Sequence, residues 1–237
     1  MIRLLAPAGT LATGAVVELD EDESRHLTVR RAEPGAPVQL LDGSGLRADG
    51  RLGRAGKGWN VEISQVSREP APVAVTLAVG AGDRERFGML VEQAAQLGAT
   101  GIIPLQTDRT TGVSTRLRGE HLDRIRRRGR EALKQCGGAW APEVSELRSL
   151  PELLAELAPG ARWLADPEGG PRPPLNAVVP LTIAVGPEGG FSSEERQLLL
   201  GAGFRPVRLG RHLLRFETAA LAALTAAWLS REEGLND

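Results

Sequence analysis

Two stretches hold the residues best placed for chemistry. In Leu181 to Glu195, LTIAVGPEGGFSSEE, one acid, Glu188, sits inside the loop Gly186-Pro187-Glu188-Gly189-Gly190. The glycines allow positive φ and let a second molecule approach the backbone, while Pro187 stiffens the turn. Glu188 could satisfy loop amides or accept a proton from a bound group. In the second stretch, VRLGRHLLRFETA from Val207 to Ala219, Arg215 precedes Glu217 by two residues. Taken alone, that spacing describes a surface ion pair worth about 0–1 kcal/mol.

The elements that must position these groups follow from the flanking pattern. Leu181, Ile183 and Val185 read as an apolar strand, and Ser192 with Glu195 three residues on reads as a capping box opening a helix. Val207-Arg208-Leu209 reads as a shorter strand broken by Gly210, and Glu217-Thr218 opens an alanine- and leucine-rich helix ending near Trp228 and Leu229. Two strand–loop–helix units side by side create a crevice at the strands' carboxyl ends, where open α/β sheets bind small molecules. Ordinary αβ turns with glycine at strand ends would share this spacing.

The 237 residues are enough for two small domains or one large one, with a real core. One cysteine excludes an internal disulfide framework, and His26, His121 and His212 have no metal-site spacing, so no metal is expected. The beginning, MIRLLAPAGT, lacks the long apolar region of a signal peptide, and no run of about eighteen apolar residues could span a membrane. A soluble cytoplasmic protein is expected. The net charge of −1 argues against bulk electrostatic binding of nucleic acid. Locally, however, Arg116, Arg118, Arg124, Arg126, Arg127, Arg128 and Arg130 crowd one segment, while acids collect at Asp20 to Glu23 and at Glu232 and Glu233. Such segregation suits an RNA-facing side on a neutral molecule.

Residues 1 to about 66 read as short strands around one helix, Glu21 to Arg31, with Asp42-Gly43, Asp49-Gly50 and Gly56-Lys57-Gly58 as turn signals. A small β-barrel over residues 1–68 is expected, followed by a linker in SREPAP, Ser67 to Pro72. Strand and helix patterns then alternate: Val75 to Val79, Phe87 to Leu97, Gly101 to Leu105, Gly119 to Cys136, Glu143 to Leu147, Pro151 to Leu157 behind Ser149, and Trp163 to Ala165. On the long helix Leu122, Ile125, Gly129, Ala132, Leu133 and Cys136 form a stripe expected to be buried. Residues 73–237 are therefore expected to form an α/β domain with a mostly parallel sheet. Gly80-Ala81-Gly82 follows a strand but lacks the third glycine of a dinucleotide fingerprint.

GPEGG-F-S-x-E-E followed by LG-x-x-LLR-x-ETA resembles the carboxyl-terminal half of the 16S ribosomal RNA (uridine-N3) methyltransferase family, of the SPOUT class. The resemblance extends to Gln39-Leu40-Leu41-Asp42-Gly43-Ser44, to Val91 to Leu105, and to Glu131-Ala132 with Gln135-Cys136. It implies a PUA-like amino-terminal barrel that docks on RNA, a carboxyl-terminal trefoil knot, a homodimer, S-adenosylmethionine as cofactor and 16S rRNA in the 30S subunit as substrate. Gly186, Gly189, Gly190, Leu209, Gly210, Leu213 and Leu214 match the cofactor cradle. Glu188 and Thr218 are expected to bind the cofactor with them, Thr218 also as a cap of the last helix.

Methylating N3 of uracil requires loss of its proton and tolerance of negative charge on the flanking carbonyl oxygens. Arg215 matches the family arginine and could stabilise that charge; Glu188, Glu217 or a water could take the proton. For RNA the candidates are Arg25, His26, Arg30 and Arg31 on the barrel and Arg124, Arg127 and Arg128 on the long helix. The chain departs from the family pattern at Ala81, Lys134, Gly138, Arg211, His212 and Phe216. Those departures keep two rivals open, a non-catalytic RNA-binding or assembly protein and a knot methyltransferase acting on another RNA.

Overall fold

The computed structural model describes residues 1–7, 9–110, 112 and 117–233, with the side chains of all of these except 232 and 233. Arg116 and the side chains of Glu232 and Glu233 lie outside the described residues. The chain divides into two compact units, Met1–Pro72 with Arg130–Ala141, and Val73–Gly129 with Pro142–Asp237.

In the first unit β1 (Ile2–Leu5), β2 (Val16–Glu18), β3 (Pro37–Leu41), β4 (Leu46–Ala55) and β5 (Gly58–Arg68) form one sheet in the order β1-β3-β4-β5-β2. All neighbours are antiparallel except β1 and β3. Alternate residues of β4 and β5, among them Ala48, Leu52, Trp59, Val61 and Ile63, point into a core shared with Leu4, Leu27, Val38 and Leu40. Asp49-Gly50 is no turn: it lies inside β4 at a register shift, and a side chain on Gly50 would meet the Glu62 carbonyl. The glycine marks a bulge, which uses the same residue type as a turn.

The helix α1 (Glu21–Val29) has Asp20 as N-cap, its carboxylate accepting the Glu23 amide at 2.8 Å. It ends in a Schellman arrangement, Ala32 N–H to Leu27 O and Arg31 N–H to Thr28 O, with Arg31 at φ 53° where glycine is usual. Buried Glu23, 3% exposed, accepts Nζ of Lys134 at 2.8 Å. The family departure at Lys134 thus neutralises a buried acid. Hydrogen bonds to Glu131 and Glu23 outweigh the burial that opposes its charge, holding the ammonium above the ordinary lysine range.

The second unit is a parallel sheet in the order β12-β10-β11-β6-β7-β8, from β6 (Val75–Gly80), β7 (Gly101–Gln106), β8 (Glu143–Val144), β10 (Ala161–Gly170), β11 (Leu181–Val185) and β12 (Arg205–Val207); β9 (Arg148–Ser149) also pairs with β7. The unit carries α2 (Arg84–Gln96), α4 (Leu150–Ala155), α5 (Ser193–Gly201) and α6 (Phe216–Glu233). The helix α3 (Glu120–Cys136) begins in the second unit and ends in the first. The central strands are apolar on both faces, with Val75, Leu77, Val79, Ile183 and Val185 in one cluster and Ala78, Leu105, Leu164 and Ala184 in another. The stripe on α3 is buried from Leu122 to Leu133, but Cys136 is exposed because the helix ends there, at Gly137 with φ 77°. Among the described residues no helix is long and apolar enough to cross a membrane.

Candidate functional site

Every strand of the second unit runs the same way, so the loops after β6, β7, β10, β11 and β12 gather at one edge. There a cavity of about 410 Å³ opens, within the usual range for small-molecule sites. Its lining includes Gly186, Glu188, Gly189, Gly190, Leu209, Gly210, Leu213 and Leu214. The structure thus brings the residues expected to form the cradle into one hollow. Thr218 is not among the lining residues; α6 begins at Phe216, so Thr218 lies in the first turn and not at the cap.

The glycine loop is built by local contacts. The Gly190 amide donates to Pro187 O at 2.8 Å and Gly190 takes φ 73°, closing the turn. The capping box forms: Ser192 N–H donates to Glu195 at 2.8 Å and Glu195 N–H to Ser192 Oγ at 3.2 Å. Under the loop lie Gly80 and Gly82. A side chain on Gly80 would overlap Pro187, and one on Gly82 would overlap the Glu188 carboxylate. Gly80, the last residue of β6, and Gly82 are the floor of the loop. Glu188 lies over Gly82 with Arg86 4.0 Å away, and no hydrogen bond joins it to the amides of its own loop.

Three features had no part in the sequence reading. First, β10 runs on to Gly170, and both Ala165 and Gly170 pair with Val207, so Asp166 to Gly169 bulge out of register, with Asp166, Pro167 and Glu168 in the cavity wall. Asp166 holds this excursion, accepting Glu168 N–H at 2.9 Å and Arg196 Nε at 2.8 Å. Gly169 lets the β12 backbone approach, since a side chain there would strike the Val207 amide. An acid directly after a strand's carboxyl end was the available signal. Second, the strand expected at Val207 to Leu209 lies earlier, as β12 at Arg205–Val207, leaving 208–215 as loop, from which His212, read only as a family departure, lines the cavity beside the expected Leu213. Third, Arg109 reaches the glycine loop from the turn after β7.

Arg215 and Glu217 flank Phe216, which lines the cavity, but neither lines it itself. They do not form the surface pair that their spacing suggested. Arg215 is exposed, and among the described residues its guanidinium has no hydrogen bond or ion pair. Glu217 has one buried carboxylate oxygen without a partner. Phe216, a family departure, is a packed core side chain, 2% exposed.

The RNA candidates separate by contact. Arg25 and Arg124 are exposed and, among the described residues, have only long i,i+3 and i,i+4 pairs to Asp22 and Glu120. Arg30, Arg31 and Arg127 are exposed and His26 is half-buried. Arg128 is different: it bonds Glu85 at 2.9 Å and Glu92 at 3.2 Å, bracing α3 against α2. Those bonds hold its guanidinium above the ordinary range although burial works the other way. Its charge is committed within the protein.

A family profile described as RNA methyltransferase domain matches residues 69–228. Ribosomal RNA small subunit methyltransferase E of Mycobacterium bovis is 33% identical over 95% of this chain and 91% of its own. The crystal structure of a ribosomal RNA small subunit methyltransferase E from Neisseria gonorrhoeae bound to S-adenosyl methionine superposes with TM-score 0.87 at 28% identity, over 97% of each chain. A putative methyltransferase from Legionella pneumophila with bound SAM gives 0.82 at 27%, also over 97% of each chain. Fold, extent and sequence agree, and the chain belongs to the RNA methyltransferase family that includes ribosomal RNA small subunit methyltransferase E.

Proposed function

We propose that the chain transfers a methyl group from S-adenosylmethionine to N3 of a specific uridine in 16S rRNA, as a homodimer acting on the 30S subunit in the cytoplasm. The observation that carries this reading is the cavity itself, where Gly186, Gly189, Gly190 and Gly210 expose backbone beside the apolar Leu209, Leu213 and Leu214. The residues fit such a cofactor. A Cβ at Gly210 would meet nothing closer than Leu214 at 3.7 Å, so the fold leaves that space for a guest. The similarity to proteins solved with SAM supports the same assignment.

S-adenosylmethionine supplies an electrophilic methyl group when bound. The protein's share is to bind, orient and handle charge. Leu209, Leu213 and Leu214 would pack the apolar parts of the cofactor, and the glycine-loop backbone its polar edge. Arg215, uncommitted beside the cavity, would stabilise the charge developing on the uracil oxygens. Glu188, which lines the cavity, or Glu217, next to the lining residue Phe216, would accept the N3 proton, directly or through water. Arg25, His26, Arg30, Arg31, Arg124 and Arg127 would meet RNA phosphates. Of the departures from the family pattern, Lys134 and Phe216 serve packing and charge inside the protein, and neither favours a non-catalytic role.

The test is methyl transfer from labelled S-adenosylmethionine to 30S subunits carrying unmodified rRNA, with mass spectrometry to locate the methyl group. A single N3-methyluridine in 16S rRNA is the expected result. Cofactor binding without transfer to 30S subunits would move the activity to another RNA, and no cofactor binding would overturn the enzymatic reading.

A further inference from the structure

The four residues after β7 form a tight, heavily anchored turn. Thr110 N–H donates to Thr107 O at 3.0 Å, and Thr107 N–H donates to Thr110 Oγ1 at 2.9 Å; both side chains are buried. Asp108 N–H donates to Glu195 Oε1 at 2.9 Å while the other oxygen of Glu195 closes the capping box of α5. Ser192 Oγ donates to Asp108 Oδ2 at 2.6 Å. Glu195, only 6% exposed, thus ties the turn to the start of the helix that follows the glycine loop.

What this anchoring presents is Arg109. Its side chain is exposed and crosses the glycine loop, donating from Nη1 to Gly189 O, with Cδ 3.0 Å from where a Cβ on Gly189 would stand. Among the described residues its charge has no carboxylate partner. Arg109 is also not among the residues lining the cavity. A cation fixed on the rim meets the molecule that arrives over the mouth, not the one lodged inside.

We propose that Arg109 grips a backbone phosphate of the RNA strand flanking the acceptor base, exchanging the Gly189 carbonyl for phosphate oxygens. A planar guanidinium suits that exchange because it offers two parallel donors to one phosphate. The proposal rests on the RNA methyltransferase reading above.

The experiment compares wild type with Arg109→Gln and Arg109→Lys, all full-length. It measures affinity for unmodified 16S rRNA across salt concentrations, cofactor affinity by calorimetry, and methyl-transfer kinetics. Arg109→Gln is expected to weaken RNA binding severalfold and to flatten the slope of log affinity against log salt by about 0.7–1. KM for RNA should rise with kcat and cofactor affinity within about twofold of wild type. Arg109→Lys keeps the charge and should restore the salt slope. Unchanged RNA affinity and slope in the Gln variant would overturn the proposal, and a fall in cofactor affinity alone would assign Arg109 to bracing the glycine loop. If wild type binds RNA with the expected slope difference but transfers no methyl group, the phosphate grip stands and the enzymatic reading fails.

Discussion

The Asp166 carboxylate accepts a 2.8 Å hydrogen bond from Nε of Arg196, and both residues line the cavity. Its other oxygen holds the Glu168 amide, so one side chain shapes the whole excursion of β10. Asp166→Ala frees that wall. Loss of these bonds should cost about 1.5 kcal/mol of stability, read from urea unfolding. Cofactor affinity should fall about tenfold, because binding must then order a loop that the fold no longer holds.

Gly80 and Gly210 both border the glycine loops, but for different reasons. A methyl on Gly80 overlaps Pro187, whereas Gly210 has neither a positive φ nor a close neighbour. Gly80→Ala should therefore lower stability by about 2 kcal/mol through overpacking. Gly210→Ala should unfold within about 0.5 kcal/mol of wild type. Its cofactor affinity should nevertheless drop by about tenfold or more, since the added carbon takes space meant for the guest. Calorimetry and thermal melting on both variants separate the two effects; intact cofactor binding in Gly210→Ala would remove that glycine from the cradle.

Arg215 gives the sharpest kinetic prediction. It is exposed and uncommitted, so Arg215→Ala should leave the fold and cofactor affinity unchanged. Methyl transfer should fall by roughly 10²-fold or more if the guanidinium stabilises charge only in the transition state. Single-turnover assays at saturating RNA separate this from weakened binding. Full activity would leave Arg215 a surface residue.

Much of this architecture was legible because its signals are local. The capping box at Ser192 and Glu195, the N-cap at Ser149 and the strand Leu181–Val185 each follow from neighbouring residues. Others depend on long-range pairing. Nothing near Asp49-Gly50 distinguishes a bulge from a turn, because only the partner strand β5 decides it. The excursion at Asp166 exists because Val207 pairs twice along β10, and Arg128 looked available to RNA until Glu85 and Glu92 were placed beside it. The SPOUT-type fold was reached through the family motifs, not from periodicity.

Lys134 and Glu23 form the clearest stability test in the first unit. Glu23 is 3% exposed and also accepts the Leu5 amide, so removing its cation strands a buried carboxylate. Lys134→Met should destabilise by about 3 kcal/mol, and the double variant Glu23→Gln with Lys134→Met should recover much of that loss. Because the folded state raises the lysine above its ordinary value near 10.4, its contribution is complete below that pH and lost as pH rises through the folded value. Urea midpoints of wild type should therefore decline above about pH 10 more steeply than those of the double variant. Parallel curves would show that the pair contributes nothing that depends on the lysine charge.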